Sequence, residues 1–141
     1  MDLQNLYRQV IMDHYKHPRN KGLVGHKQIR LRNPSCGDDI TVEAKIEENI
    51  LKEIHHEGNG CSICCSSASV MSELLTGKDV DTAVEIINDY YNLVTGEAVE
   101  DEERLEEALV YQGVSQFPAR TKCATIAWKA LEQLIGEDES E

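Results

Sequence analysis

Cysteine residues occur in three separate segments of this chain, and none of the segments can hold a metal ion alone. The segments are residues 36–38 (Cys-Gly-Asp), 60–65 (Gly-Cys-Ser-Ile-Cys-Cys) and 120–123 (Arg-Thr-Lys-Cys). Together they supply thiolates and a carboxylate, a donor set that suits a tetrahedral zinc site. Because the segments are far apart in sequence, such a site requires a fold that brings them together, unlike a zinc finger built from close ligand pairs.

The charge of the chain disfavours binding to nucleic acids. Asp and Glu number 26 against 14 Lys and Arg, which gives a formal net charge of −12. Such a surface repels phosphate backbones and favours a basic protein partner. The same charge also promotes solubility, and the sequence favours a basic partner and simple solubility about equally.

The cysteines favour metal or sulfur chemistry over disulfide bonds. No stretch is apolar for long enough to span a bilayer, and residues 1–10 lack the apolar core of a signal peptide. We therefore expect a cytoplasmic protein with reduced thiols and no membrane association. The cysteine count of five is odd, which also argues against a complete disulfide framework.

The hydrophobic pattern predicts one domain over residues 1–135, followed by an acidic disordered tail over 136–141. Its clearest element is a strand over residues 40–47, where apolar and polar residues alternate strictly. Another strand is predicted before it over residues 28–32. A third follows over residues 50–57, joined by a tight connection at Glu48-Asn49. Because strands precede most helices, we expect an α+β architecture with an antiparallel sheet.

Helical periodicity accounts for most of the remaining chain. The first predicted helix begins at Leu3 with Asp2 as N-cap, and the second covers residues 66–76. The third follows a cap at Asp79 or Asp81, the fourth covers residues 102–111, and the last follows Pro118.

Four side chains are the candidate metal ligands: Cys36, Asp38, Cys61 and Cys123. Gly37 allows a tight turn, in which the Cys36 thiolate and the Asp38 carboxylate can converge. Cys61 precedes a helix and Cys123 is expected in the first turn of the last one, where a helix N-terminus lowers the pKa of a thiol. A carboxylate is uncommon in structural zinc sites, and it leaves the metal more open to ligand exchange.

The other cysteines and the paired histidines have simpler explanations. Cys61 and Cys64 form a C-x-x-C motif, which can bind metal or form a disulfide. Small buried positions at the start of a Ser- and Ala-rich helix explain Cys64 and Cys65 as well, and we favour that interpretation. His55 and His56 are adjacent in a strand, which is more typical of one exposed and one half-buried side chain than of a ligand pair.

Arg120 is a candidate supporting residue. It stands three residues before Cys123, so the two are expected to be neighbours on a helix or its lead-in. There it would pair with Asp38 or with a thiolate around the metal, or else face the solvent.

The motifs that surround these residues are similar to those of a known family. They are residues 6–7, 13–20 (Asp-His-Tyr-Lys-His-Pro-Arg-Asn), 33–38, 58–63, 118–124 and 127–131. On these residues the chain resembles the IscU/NifU-like family of iron–sulfur cluster assembly proteins over nearly its whole length. It looks most like the SufU branch, because Lys122 stands where scaffold-type IscU proteins carry histidine and residues 92–116 supply an insertion. Cys64-Cys65 and His56 depart from the family pattern.

The resemblance implies a SufE/NifU-like fold, in which helices cover one side of a small three-stranded antiparallel sheet. It implies zinc bound by Cys36, Asp38, Cys61 and Cys123. It further implies a sulfurtransferase in which Cys36 accepts sulfur from the persulfide of a SufS-type cysteine desulfurase. A downstream iron–sulfur scaffold would receive that sulfur.

Two other functions are compatible with the same residues. One is an assembly scaffold that builds a [2Fe–2S] cluster on these ligands. The other is a zinc-stabilised adaptor that binds the desulfurase without accepting sulfur. Lys122 argues against the scaffold, since the neighbouring histidine is missing.

Overall fold

The computed structural model describes residues 3–140 of the chain. The elements are helix α1 (Leu3–Lys16), strands β1 (Lys27–Asn33), β2 (Asp38–Glu47) and β3 (Ile50–Asn59), helices α2 (Ser62–Leu75) and α3 (Val80–Thr95), a 3₁₀ segment (Glu103–Gln116) and helix α4 (Pro118–Ser140). The N-cap predicted at Asp2 and the chain end at Glu141 lie outside the described residues.

The three strands form one antiparallel sheet in the order β1-β2-β3. The alternating pattern of β2 sets its register, with Ile40 opposite Leu31 of β1 and Val42 opposite His56 of β3. Glu48 and Asn49 join β2 to β3 with φ angles of 53° and 63°. Positive φ at both positions is typical of a two-residue hairpin turn. The predicted antiparallel sheet and tight connection are therefore confirmed.

The helices pack on one face of the sheet. Ile40 and Val42 point toward that face, are 1% and 0% exposed, and join the core formed with α2 and α4. Neighbouring residues of a strand point to opposite faces, so Thr41 and Glu43 point away from the helices. Glu43 is nevertheless buried, because the segment that precedes β1 lies against it and donates backbone hydrogen bonds to its carboxylate. The expected three-stranded sheet with helices on one side is confirmed.

Paired polar groups in the core fix how α4 lies against α2. Ser67 Oγ donates to the carbonyl oxygen of Ala124 at 2.7 Å and accepts from Trp128 Nε1 at 2.8 Å. Tyr90 of α3 donates to the same carbonyl at 2.7 Å, and its ring stacks on Trp128 with centroids 3.8 Å apart. Buried polar groups stabilise a fold only when they are paired. These contacts therefore place Cys123, one residue before Ala124, at a defined position.

Several helix boundaries differ from the prediction. Helix α2 begins at Ser62, so Cys64 and Cys65 lie in its first turn. The helix predicted over residues 102–111 is a 3₁₀ segment with a kink at Glu106, where φ is 47°. A residue with positive φ cannot continue a right-handed helix. Helix α4 starts at Pro118 itself, which suits the first helical position because proline needs no hydrogen-bond donor there.

Residues 136–140 are helical, where the sequence predicts disorder. Helix α4 continues from the predicted end of the domain at residue 135 through Ser140. Lys27 Nζ of β1 lies 3.4 Å from Glu137 Oε1, which attaches this part of α4 to the sheet. Extending an existing helix is much easier than nucleating one, so residues beyond the apolar face can remain helical.

Candidate metal centre

The four predicted ligands come together at one end of the sheet. Cys36 and Asp38 lie at the β1–β2 turn, Cys61 immediately before α2, and Cys123 in α4. The ligand atoms of Cys36, Asp38 and Cys123 lie within 4.8 Å of one another. Cys61 is the fourth member, because its backbone N–H donates to Asp38 Oδ1 at 3.1 Å and its thiol neighbours that of Cys123. We refer to these four residues as the cysteine cluster.

Asp38 is a buried carboxylate with neutral partners. It is 1% exposed. Besides the Cys61 N–H, it accepts a 3.4 Å hydrogen bond from Asn33 Nδ2, and it has no ion pair with any residue between 3 and 140. A buried charge without an opposite charge costs on the order of several kcal/mol. Three sulfurs and this carboxylate form a donor set that zinc accepts, so the residues present fit a zinc ion.

The turn that carries Cys36 is organised by Asn33. The carbonyl oxygen of Asn33 accepts from the backbone N–H groups of Cys36 and Gly37 at 3.2 and 2.9 Å. Gly37 has φ of 74°, a conformation that glycine adopts without strain. As a result Cys36 is exposed while Asp38 is buried. Asn33 Nδ2 also lies 3.8 Å from Cys123 Sγ, a contact that no local sequence signal predicts.

Gly60 permits the close approach of the second cysteine segment to Asp38. A Cβ atom on Gly60 would lie 2.6 Å from Asp38 Oδ1 and 3.2 Å from Cys64 Sγ. The first of these distances is shorter than a carbon and an oxygen tolerate without a bond. Any other residue at this position would therefore push the Asp38 carboxylate away from Cys61.

Cys123 lies deeper in its helix than predicted. It is the sixth residue of α4, in the second turn, so its predicted place in the first turn is wrong. The residue is 0% exposed. Burial, followed by contacts with Asp38 and Cys36, raises the pKa of its thiol, whereas a helix N-terminus would lower it. A thiolate at Cys123 therefore requires a cation beside it.

Cys64 and Cys65 have different surroundings from the cluster and from each other. Cys64 is 0% exposed in the core, whereas Cys65 is half-buried and borders a cavity of about 130 Å³. A hydrogen bond from Cys64 lowers the pKa of Cys65 to about 7, and Lys21 acts in the same direction. The same hydrogen bond, together with burial, raises the pKa of Cys64. The packing role of these two cysteines stays a prediction.

The remaining candidates are not brought to the cluster. Arg120 is exposed, and its side chain makes no hydrogen bond or ion pair with the part of the chain that the structure describes. His56 is 3% exposed and donates from Nε2 to the carbonyl oxygen of Arg19 at 2.8 Å. Burial lowers its pKa, so it is a neutral core histidine, more buried than the sequence suggests. His55 points to the opposite face of the sheet.

Comparison with known protein families agrees with this arrangement. The family described as the NifU-like N-terminal domain matches residues 6–124, a range that contains the whole cysteine cluster. The chain belongs to this family.

Relatives within the family carry two different descriptions. The chain is 44% identical over 139 residues to the zinc-dependent sulfurtransferase SufU of Bacillus subtilis (strain 168), which covers 98% of this chain and 95% of that protein. It is 37% identical over 134 residues to the iron–sulfur cluster assembly scaffold protein IscU of Streptococcus pyogenes serotype M1, with 94% and 84% covered. The sulfurtransferase is thus more similar to this chain than that scaffold protein is.

A solved structure shows the same fold. The crystal structure of a protein described as an iron–sulfur cluster assembly scaffold for the SUF system, from Fervidobacterium islandicum AW-1, superposes with a TM-score of 0.81. The two sequences are 31% identical, and the match covers 93% of this chain and 97% of that one. The NifU-like fold is therefore shared along almost the full length of both proteins.

Proposed function

We propose that the protein is a zinc-dependent sulfurtransferase that accepts persulfide sulfur from a cysteine desulfurase for iron–sulfur cluster assembly. One observation carries the proposal: Cys36, Asp38 and Cys123 offer ligand atoms within 4.8 Å of one another with Cys61 beside them, and of these three cysteines only Cys36 is exposed. The 44% identity to a zinc-dependent sulfurtransferase over nearly the whole chain supports it.

The cysteine cluster supplies the zinc ligands in this proposal: Cys36, Asp38, Cys61 and Cys123. A bound zinc ion would hold the sulfurs as thiolates, including that of buried Cys123, and would compensate the charge of Asp38. The buried contacts of Asp38 and Cys123 hold the donors in place. Arg120 stays a predicted supporting residue, although its exposed side chain makes no hydrogen bond or ion pair with the residues described.

Cys36 is the proposed sulfur acceptor because of where it lies. It is exposed on a turn, whereas Cys123 is buried in α4 and Cys61 is held by the hydrogen bond from its backbone N–H to Asp38. The Cys36 thiolate attacks the outer sulfur of the desulfurase persulfide. A new S–S bond then forms on Cys36, the S–S bond on the desulfurase breaks, and the desulfurase cysteine leaves as a thiolate. The net reaction moves one sulfur atom without any change in the total number of electrons.

The partners follow from this chemistry. The donor is a cysteine desulfurase of the SufS type, and the product, a Cys36 persulfide, requires a downstream iron–sulfur scaffold to receive its sulfur. A reducing compartment such as the cytoplasm preserves both the thiols and the persulfide. Within residues 3–140, no helix combines the length and the apolar character needed to cross a bilayer.

An assembly scaffold for a [2Fe–2S] cluster is the second candidate. The 37% identity to a protein named as such a scaffold favours it, and thiolates are the usual ligands of these clusters. Lys122, next to Cys123, weighs against it, because its exposed side chain replaces the histidine that scaffold-type relatives are expected to carry.

Mass spectrometry after incubation with desulfurase and cysteine tests the proposal. We expect Cys36 to gain the mass of one sulfur atom, and Cys36→Ser to abolish both this gain and any stimulation of the desulfurase. Cys65→Ser is the matched control and should keep both. A persulfide mainly on Cys61, Cys64 or Cys123 would contradict the assignment. Normal desulfurase binding without any persulfide would favour the adaptor, and stoichiometric iron with a cluster absorption band would favour the scaffold.

A further inference from the structure

A second group of metal-ligating side chains lies on the sheet face opposite the helices. It consists of His26, which immediately precedes β1, and of Glu53 and His55 of β3, and we refer to it as the histidine cluster. Glu53 and His55 stand two positions apart, so both point to the same side of β3. His26 joins them from the segment between α1 and β1.

Buried Glu43 holds that segment against the sheet. Both carboxylate oxygens of Glu43 accept from the backbone N–H of Val24, at 3.1 and 3.0 Å, and Oε1 also accepts from the N–H of Gly25 at 3.2 Å. Glu43 is directly opposite His55 in the β2–β3 pairing, so it stands beside the histidine cluster on the same face. The position of His26 is thus set by a buried support and does not depend on a free loop.

The donor atoms of the histidine cluster are spaced as metal ligands are. His55 Nε2 lies 3.0 Å from Glu53 Oε1, and His26 Nε2 lies 3.3 Å from Glu53 Oε2. All three residues offer ligand atoms within 4.8 Å of one another. In a tetrahedral zinc site with bonds of about 2.0 Å, neighbouring ligand atoms are about 3.3 Å apart. These nitrogen–oxygen separations also serve a hydrogen bond and an ion pair in the metal-free protein, and they need little change to accept an ion.

His26 contributes a buried nitrogen that is close to a carboxylate but makes no well-aligned hydrogen bond. Its Nε2 atom is shielded from solvent and makes no hydrogen bond to the residues described, even though Glu53 Oε2 is within reach by distance. Buried polar nitrogens nearly always make a well-aligned hydrogen bond, and this one faces a carboxylate and a second imidazole without one. A cation between the three groups provides a partner for this nitrogen.

Another histidine group in the same protein lacks these features. His14 lies near Glu73 and Glu107, a group with one imidazole and two exposed carboxylates, whereas the histidine cluster has two imidazoles. His14 Nδ1 is 2.8 Å from Ser69 Oγ and Nε2 is 3.0 Å from Glu107 Oε1. His14 therefore attaches α1 to the core and to the 3₁₀ segment.

We propose that His26, Glu53 and His55 form a second cation site that takes a divalent first-row transition metal ion such as Zn²⁺ or Co²⁺. Two imidazoles and one carboxylate are a ligand set found in zinc sites that keep a position for water, and imidazole suits transition metals over Mg²⁺ or Ca²⁺. The bound ion ties the segment before β1 to β3. This site is independent of the cysteine cluster, since the two groups use different residues on different faces of the sheet.

Metal stoichiometry of protein purified without a polyhistidine tag tests this site. After equilibration with excess Zn²⁺ and gel filtration, the wild type should retain two zinc ions per chain, one at each cluster. Glu53→Gln and His55→Ala should each retain one. Glu57→Gln is the matched control, because Glu57 is an exposed residue of the same strand outside the cluster, and it should retain two. Equal retention by the wild type and Glu53→Gln would overturn the proposal, as would loss of the second ion from Glu57→Gln.

Cobalt provides a second measurement, which does not depend on the sulfurtransferase proposal. Co²⁺ added to protein that holds a single zinc ion, at the cysteine cluster, should give visible d–d absorption without the near-ultraviolet thiolate-to-cobalt charge transfer that a cysteine site produces. It should also raise the Tm of the wild type but not that of His55→Ala. Charge-transfer absorption in all variants would place the ion at the cysteine cluster and refute the second site.

Discussion

The cysteine cluster and the histidine cluster use the same sheet in different ways. The cysteine cluster lies where a strand turn, the start of α2 and the second turn of α4 meet, and its Asp38 and Cys123 are buried. The histidine cluster joins β3 to the segment before β1 on the other face, with its side chains 19% to 41% exposed. A metal ion bound at the cysteine cluster would link several layers of the fold, whereas one bound at the histidine cluster would link only the segment before β1 to β3.

The location of each cluster determines how strongly metal binding there is coupled to folding. Metal binding energy adds to folding energy when the site exists only in the folded protein. At the cysteine cluster an absent cation leaves the buried carboxylate of Asp38 without an opposite charge. At the histidine cluster the side chains are partly exposed, so most of their polar atoms other than His26 Nε2 can be solvated. We therefore expect large effects on global stability at the first cluster and small ones at the second.

The largest expected effect is that of Cys123→Ser. This change removes a buried ligand, so zinc should be lost during purification and sulfur acceptance should fall with it. With free zinc at a thousand times its Kd, the lost linkage is about 4 kcal/mol, or roughly 12 °C in Tm. Elemental analysis and thermal unfolding measure the two quantities. Stoichiometric zinc in the cysteine cluster of this variant would show that Cys123 is not a ligand.

Asp38→Asn should change the free energy of unfolding less, and the sign of the change should depend on whether zinc is bound. Asparagine can still accept the bond from the Cys61 N–H, but it carries no charge. With zinc bound, the variant should hold the ion about tenfold more weakly, or about 1.4 kcal/mol. After chelation of the metal it should be more stable than the wild type, because an uncompensated buried carboxylate is removed.

Denaturant unfolding of both proteins, with zinc and after chelation, measures this reversal. If Asp38→Asn and the wild type retain zinc equally well, Asp38 is not a ligand. If the variant is less stable in both states, the buried charge of Asp38 does not destabilise the metal-free protein.

Cys64→Ser and Cys65→Ser should change metal content little. Cys64 is fully buried, so a hydroxyl in its place should cost about 1–3 kcal/mol of stability. Cys65 is half-buried, and its replacement should cost less. Zinc content measured together with Tm separates packing from ligation. Loss of zinc from either variant would disprove the packing interpretation.

The smallest effect concerns acid stability at the histidine cluster. The hydrogen bond from His55, and then the proximity of His26, lower the pKa of Glu53. A carboxyl group with a lowered pKa stabilises the fold above its ordinary pKa, about 4.3, and this contribution is lost as the pH falls through the lowered value. In metal-free protein, wild type and Glu53→Gln should therefore differ above about pH 4 and converge in stronger acid. A difference that grows on acidification would contradict the sign of this shift.

Local signals explain which parts of the fold could be predicted. Strict alternation in β2 and the Glu48-Asn49 turn depend on neighbouring residues, and both are as expected. The sequence predicts the start of α2 four residues too late, because Cys64 and Cys65 give no strong helical signal. The kink at Glu106 was missed, because nothing about a glutamate suggests positive φ.

For the candidate site, sequence determined the donor types and tertiary structure determined their environment. The three cysteine segments by themselves indicated Cys36, Asp38, Cys61 and Cys123, since few other roles suit thiols beside a Gly-Asp turn and a helix start. Only the fold decided that Cys36 and Arg120 are exposed and that Cys123 is buried. It alone joined His26 to Glu53 and His55. Burial and cross-strand proximity arise from packing among distant elements, which no local pattern encodes.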